Sequence, residues 1–150
     1  MKKNISFGIA AVLLVLVSSC SKPGTTYPVV DTITDNSTVY HCNTITFSGA
    51  TFTATNSGGA TATFNWNNAP ASEGLYQIVT QFATHYDNQV TLDLVTPNGD
   101  YDIAPGQTVF AQIKTGSNGK VVMITTTKIL MAKISNSSQI DTVNINATQQ

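Results

Sequence analysis

The sequence contains no arginine, only one glutamate and little charge of either sign. Charged residues make up 10% of its 150 residues, and every basic residue is a lysine. Phosphate recognition depends heavily on the planar guanidinium fork of arginine, so this composition argues against a nucleic-acid partner. Because Glu73 is the only glutamate, a glycosidase with paired carboxylates would have to use aspartates, and no motif places two acids face to face.

Histidine and cysteine are equally scarce, with two of each. His41 stands beside Cys42, but adjacent ligands cannot easily close on one ion, and the metal-binding spacings Cys-x-x-Cys and His-x-x-x-His do not occur. His85 lies near Asp87 without any Gly-x-Ser-x-Gly nucleophile motif. We therefore predict a protein that is not an enzyme, with no catalytic residue, no metal site and no cofactor.

Helical apolar periods are also absent after the first twenty residues. Period-two alternation predominates instead, as in Thr44–Phe47 and Ala62–Trp66, and glycine-rich turns such as Asn56–Gly59 separate the runs. A slip of phase at Gly49 predicts a β-bulge. The whole pattern predicts an all-β fold, namely an antiparallel, immunoglobulin-like β-sandwich of about eight strands. A calycin-like β-barrel is the alternative.

The first twenty residues predict export. A basic head precedes the apolar run Ile5–Val17, which is too short to span a bilayer, and small residues lie directly before Cys20. Residues 1–19 are therefore predicted to be a signal peptide. Val17–Cys20 resembles a bacterial lipobox, in which the cysteine is acylated, so we predict lipidation of Cys20 and attachment to a membrane through this anchor. Cleavage without lipidation is the alternative.

The segment after the anchor is poor in apolar residues. Residues 20–38 contain Pro23-Gly24, Pro28 and several hydroxyl side chains, which predicts a flexible tether, and residues 39–150 are predicted to form the β domain. If Cys20 carries lipid, Cys42 has no partner in the chain and is predicted to be a small buried hydrophobe. If Cys20 is not acylated, a disulfide between Cys20 and Cys42 can form, because an exported chain enters an oxidising compartment.

Three turn-and-strand patterns carry a resemblance to a known group of proteins. The patterns are Asn56–Gly59, Gly74–Val79 and Gly119–Val122, and with the lipobox they resemble small lipoproteins of Bacteroidota-type bacteria. The resemblance implies a β-sandwich behind a spacer and a location at the outer membrane, on its periplasmic or surface face. Thr32 and Thr142, each within an Asp-Thr-aliphatic tripeptide, resemble the O-glycosylation acceptors of that group, although such tripeptides also occur by chance in a threonine-rich β protein.

Aromatic side chains are the remaining candidates for binding. Sugar-binding sandwiches stack exposed rings on their ligands, and the available rings include Trp66, Tyr86 and Tyr101. Trp66 shares a face with Phe64, which also fits core packing, whereas Tyr86 and Tyr101 fall in predicted loops. The sequence thus predicts a lipid-anchored envelope protein with an interaction or structural role, whose partner is a glycan or an envelope protein. A small-ligand or carbohydrate-binding module is the alternative.

Overall fold

The computed structural model describes residues 30–149, and these residues form a β structure without helices. Within this range no helix is long and apolar enough to cross a membrane. The predicted signal peptide, Cys20 and the first part of the predicted tether lie outside the described residues. The prediction of an all-β fold is confirmed.

Residues 30–149 form twelve strands, rather than about eight. They are β1 (Thr32–Asp35), β2 (Thr38–His41), β3 (Thr44–Ser48), β4 (Thr51–Thr55), β5 (Thr61–Asn65), β6 (Gly74–Val79), β7 (Gln89–Thr96), β8 (Gly99–Ile103), β9 (Val109–Thr115), β10 (Val121–Thr126), β11 (Ile129–Lys133) and β12 (Asn136–Thr148).

Part of the excess comes from tight turns inside runs that look continuous in the sequence. The predicted β-bulge at Gly49 is such a case, and the prediction is wrong. The chain reverses at this position, so that β3 and β4 form an antiparallel hairpin in which Phe47 pairs with Phe52. Gly49 has a φ of 62°, which a residue without a Cβ adopts at little cost.

All strands belong to one hydrogen-bonded sheet, ordered β2-β1-β12-β10-β9-β6-β7-β5-β4-β3, with β8 and β11 joined to β7 and β12. The sheet is mixed rather than purely antiparallel, because β6 and β7 pair in parallel. Residues 80–88 make the crossover that this parallel pair requires.

Two long strands, β7 and β12, each hold two successive partners on one edge. Val143 of β12 pairs with Asp35 and Ile129, and Asn146 pairs with Thr32 and Thr125. Since β1 occupies one edge at both positions, β11 and β10 follow one another along the other edge. On β7, β6 and β8 share an edge in the same way. The pairings therefore close into a circuit of seven strands, β7-β6-β9-β10-β12-β11-β8.

The apolar side chains of the alternating strands meet in one buried cluster. It includes Phe52, Phe64, Leu92, Ile113 and Ile145, all fully buried. The opposite face is mostly polar in β3, β4 and β5, whereas β6, β9 and β11 also expose Leu75, Phe110 and Leu130 on it. This separation follows from the period-two pattern and provides the main stabilisation, at about 25 cal/mol for each Å² of apolar surface buried.

The domain begins earlier than predicted. The segment 20–38 was expected to be a tether, yet β1 occupies Thr32–Asp35 and pairs along its length with β12. Ile33 is fully buried opposite Ile145. The polar residues that suggested a tether form the β1–β2 turn, where Asn36 has a left-handed φ of 52°.

Candidate functional site

The outer face of the β3-β4-β5 meander carries an array of hydroxyl-bearing side chains. Because strand side chains alternate, one face of these strands is apolar and packs on the core, while the other consists of polar, uncharged side chains. We call this second set the threonine face. Its members form three rows across the strands, Thr44–Thr55–Thr61, Thr46–Thr53–Thr63 and Ser48–Thr51–Asn65.

The register makes this face a regular lattice. Neighbouring strands lie about 4.8 Å apart, and side chains on one face of a strand repeat at about 6.8 Å. The β3 members are exposed, and those of β4 and β5 are half-buried by their neighbours. Within the face, the side-chain hydrogen bond found is from Thr51 Oγ1 to Asn65 Oδ1, at 2.9 Å. Among residues 30–149, the other hydroxyl groups of the face have no side-chain hydrogen-bond partner within it.

Negative charge borders the threonine face on one side. Along the middle row, Thr63 of β5 pairs with Asp93 of β7. Burial raises the pKa of the Asp93 carboxyl, and the neighbouring carboxylates of Asp100 and Asp102 raise it further. On the opposite side, β3 has no further hydrogen-bonded neighbour in the described sheet. The face is thus neutral in itself and lies next to an anionic border.

Trp66, the first of the predicted ligand-binding rings, lies in the core. It is edge-on to Phe47 and Tyr76, with ring centroids 6.3 and 6.1 Å away, and stacks against Phe64 at 6.5 Å. Tyr76 donates its hydroxyl proton to the carbonyl oxygen of Ser72, at 2.9 Å. Trp66 therefore packs in the core, as its shared face with Phe64 suggested, and its ring is not exposed for stacking on a ligand.

Tyr101 does not lie in an exposed loop, and that prediction is wrong. It stands in the middle of β8, where Leu94 and Lys133 are its neighbours, and its ring is fully buried. The turn signal that suggested a loop, Pro97–Gly99, ends at Gly99, which is already the first residue of β8. The ring of Tyr101 is therefore not accessible to a ligand that approaches from solvent.

Tyr86 is the predicted ring that does lie exposed in a loop. It belongs to the crossover between β6 and β7 and is 74% exposed, close in sequence to the 80% exposed Phe82. Its backbone N–H donates to Oε1 of Gln89 at 3.0 Å, which fixes the end of the loop. In the same loop, Nδ1 of His85 lies 3.3 Å from the carbonyl oxygen of Ala83. The structure does not bring the three predicted rings together, and ligand binding by Tyr86 stays a prediction.

The predicted glycosylation residues both lie in strands. Thr32 pairs with His41 and Asn146, and Thr142 pairs with Leu130. Both side chains are half-buried on the outer side of the sheet. Glycosylation of either residue stays a prediction.

Cys42 lines a surface cleft of about 370 Å³, together with Asp31, Asn43 and Thr148. Burial and the nearby Asp31 raise the pKa of the Cys42 thiol to about 11. The thiol is therefore protonated at neutral pH, which opposes a role as nucleophile or metal ligand. Among residues 30–149, no three histidine, cysteine, aspartate or glutamate side chains cluster as metal ligands.

No protein-family model, curated protein or solved structure matches this chain. The threonine face therefore has to be interpreted from its own chemistry. The sequence-based prediction of aromatic ligand-binding residues did not include the threonine face. Its signal is nevertheless present in the sequence, as the Thr-x-Thr repeats of residues 44–46, 51–55 and 61–63.

Proposed function

We propose that the protein is a lipid-anchored, non-catalytic domain of the cell envelope that binds an uncharged polysaccharide through the threonine face. The observation that carries this proposal is the array of nine uncharged polar side chains in register. Within the described residues, Thr51 and Asn65 are the members joined by a side-chain hydrogen bond across the face. Its regular spacing suits a partner that presents the same groups repeatedly along its length.

Each threonine offers a hydroxyl group and a methyl group to the same surface. Sugar rings present hydroxyl groups and C–H groups side by side, so both halves of the threonine side chain find a counterpart. The anionic border formed by Asp93, Asp100 and Asp102 opposes an acidic partner, and the face itself offers no charge to bind a basic one. These features favour a neutral polymer over a charged glycan.

The proposed architecture is a β-sandwich in which β7 and β12 are corner strands shared by two layers. The interior supports it, because Phe52, Phe64 and Tyr101 are among many fully buried side chains that fill the core. Among residues 30–149, clefts of about 250 to 370 Å³ lie at the surface and are lined in part by exposed residues. A calycin-like carrier needs a ligand cavity inside the barrel, so the filled core counts against that alternative. The immunoglobulin-like form of the sandwich stays a prediction.

The predicted anchor fits this role. Thr32, the first strand residue, follows Cys20 by twelve residues, which span at most about 40 Å when fully extended. A domain held within this distance of a membrane would meet polymers of the envelope at high effective concentration, which compensates for weak binding at each hydroxyl group.

The test is binding of the full mature chain, purified in detergent, to an array of neutral and acidic glycans. Thr53→Val and Thr63→Val together remove two central hydroxyl groups while keeping the β-branched shape. At about 1 kcal/mol for each hydrogen bond, we expect the double variant to bind about 30-fold more weakly.

Thr34→Val is the matched control, since Thr34 is also a half-buried, outward-facing strand residue but lies on β1. We expect it to bind as the unaltered protein does. Uniformly blank glycans, or equal losses in the control and the double variant, would contradict the proposal.

A further inference from the structure

Two aspartates are buried side by side at one end of the core. Asp35, the last residue of β1, is 1% exposed, and Asp141 of β12 is 7% exposed. Asp35 pairs with Val143, two residues from Asp141 on the same face of β12, so the carboxylates are diagonal neighbours. Such neighbours lie about 7 to 8 Å apart at their backbones, within mutual reach of the side chains.

The hydrogen bonds of this pair are incomplete. Asp35 Oδ2 accepts from Thr96 Oγ1 and from Asn98 Nδ2, each at the long distance of 3.3 Å. Asp35 Oδ1 is buried and has no partner among the described residues. Asp141 Oδ1 accepts from Asn36 Nδ2 at 2.8 Å.

The hydroxyl oxygen of Tyr101 is a third candidate ligand beside the Asp35–Asp141 pair. The hydroxyl group of the fully buried Tyr101 has no hydrogen-bond partner within residues 30–149. Tyr101 lies two residues from Ile103 on the buried face of β8, and Met131 of β11 pairs with both Ile103 and Asp141. The side chain of Tyr101 therefore lies on the same buried face as the Asp141 carboxyl group. Thr96 Oγ1 completes a set of oxygens contributed by β1, β7, β8 and β12.

Among residues 30–149, neither carboxyl group is found in an ion pair with a lysine or a histidine. The side chains that donate hydrogen bonds to them are the neutral groups of Thr96, Asn98 and Asn36. Lys133 lies in register with Tyr101, and its stem lies over Gly99 rather than in an ion pair with either acid. Burying two uncompensated carboxylates costs several kcal/mol for each, so the site favours a species that neutralises them.

We propose that Asp35, Asp141, Tyr101 and Thr96 form a buried calcium site. Two carboxylates balance the charge of one divalent ion, and all candidate ligands are oxygens, which Ca²⁺ prefers. Mg²⁺ retains several of its waters and demands near-ideal octahedral geometry, so a buried site of mixed carboxylate and hydroxyl oxygens suits it less well. The site has two acids rather than three or more metal-binding side chains, so the neutral oxygens are essential to it.

The experiment measures thermal unfolding of the full mature chain in EDTA, in millimolar Ca²⁺ and in millimolar Mg²⁺, with Tb³⁺ luminescence as a direct binding signal. We expect Ca²⁺ to raise the unfolding temperature and Mg²⁺ to have little effect, because only a ligand that binds the folded state stabilises it. Tb³⁺ should show emission on tyrosine excitation, and Ca²⁺ should displace it.

Asp35→Asn and Asp141→Asn should each abolish the calcium-dependent shift. Tyr101→Phe keeps the buried ring but removes its oxygen, and should weaken both the shift and the Tb³⁺ emission. Asp93→Asn is the matched control, because it removes a carboxylate from the outer side of the sheet on a neighbouring strand; it should leave the shift intact.

An unfolding temperature insensitive to Ca²⁺, with no displaceable Tb³⁺ emission, would overturn the proposal. A calcium response lost in Asp93→Asn but kept in Asp35→Asn would also overturn it, since the ion would then bind at the outer carboxylates. Stability that rises on acidification and ignores Ca²⁺ would instead show that the two acids share a proton.

Discussion

Replacing Ile33 with alanine tests whether the chain between the anchor and residue 39 is part of the folded domain. Ile33 is fully buried, pairs with Ile145 of β12 and Tyr40 of β2, and belongs to the core cluster. Removing most of such a side chain typically costs about 2 to 5 kcal/mol, because apolar contacts are lost and a cavity remains. In a domain of this size, we expect the unfolding temperature of Ile33→Ala to fall by on the order of 10 °C.

The matched control is Val39→Ala, on the adjacent strand β2. Val39 is 49% exposed, so its truncation should change the free energy of unfolding by no more than about 0.5 kcal/mol. Urea unfolding of both variants, followed by fluorescence of the buried Trp66 and by circular dichroism, gives the two free energies. Equal, small effects would refute the placement of β1 in the core and would restore a tether that extends to residue 38.

Two further predictions concern the cysteines. Because partial burial raises the pKa of the Cys42 thiol to about 11, its alkylation by iodoacetamide at pH 8 should be about 100-fold slower in the folded than in the urea-unfolded protein. The rate should increase as the pH rises toward 11. Mass spectrometry follows the adduct, and equal rates in both states would contradict the raised pKa. The intact mass of the protein from the membrane fraction should show removal of residues 1–19 and acylation of Cys20, and Cys20→Ser should release the protein from membranes; a full-length, unmodified mass would rule out the anchor.

The fold class could be read from the sequence because alternation is a local property. In β4 and β5, for example, Phe52, Ala54, Ala62 and Phe64 point inward at every second position, and the structure buries all of them. The pairing of strands could not be read in this way. The parallel pair β6–β7 and the circuit through β8 and β11 join residues far apart in sequence, and no local pattern specifies which edges meet.

Errors at individual residues have the same origin. The strand β1 is short, ends in Asp35 and is followed by Asn36-Ser37, so its composition resembles that of a linker. Its burial depends on β12, more than a hundred residues later. Tyr101 follows a turn signal and was therefore placed in a loop, whereas its pairing with Leu94 and Lys133 carries it into the core. The threonine face was visible as alternating threonines, but only the register of β3, β4 and β5 aligns them in rows.

One asparagine connects these long-range features. Asn36 donates its backbone N–H to the carbonyl oxygen of Thr142, accepts from the backbone N–H of Thr142 through Oδ1, and donates through Nδ2 to Asp141. These three contacts fix the register of β1 against β12. A slip of one residue would turn Ile33 and Asp35 outward and Thr34 inward, because the side-chain period of a strand is two. The turn that resembles a linker in the sequence is therefore what holds Ile33 in the core and brings the carboxylates of Asp35 and Asp141 together.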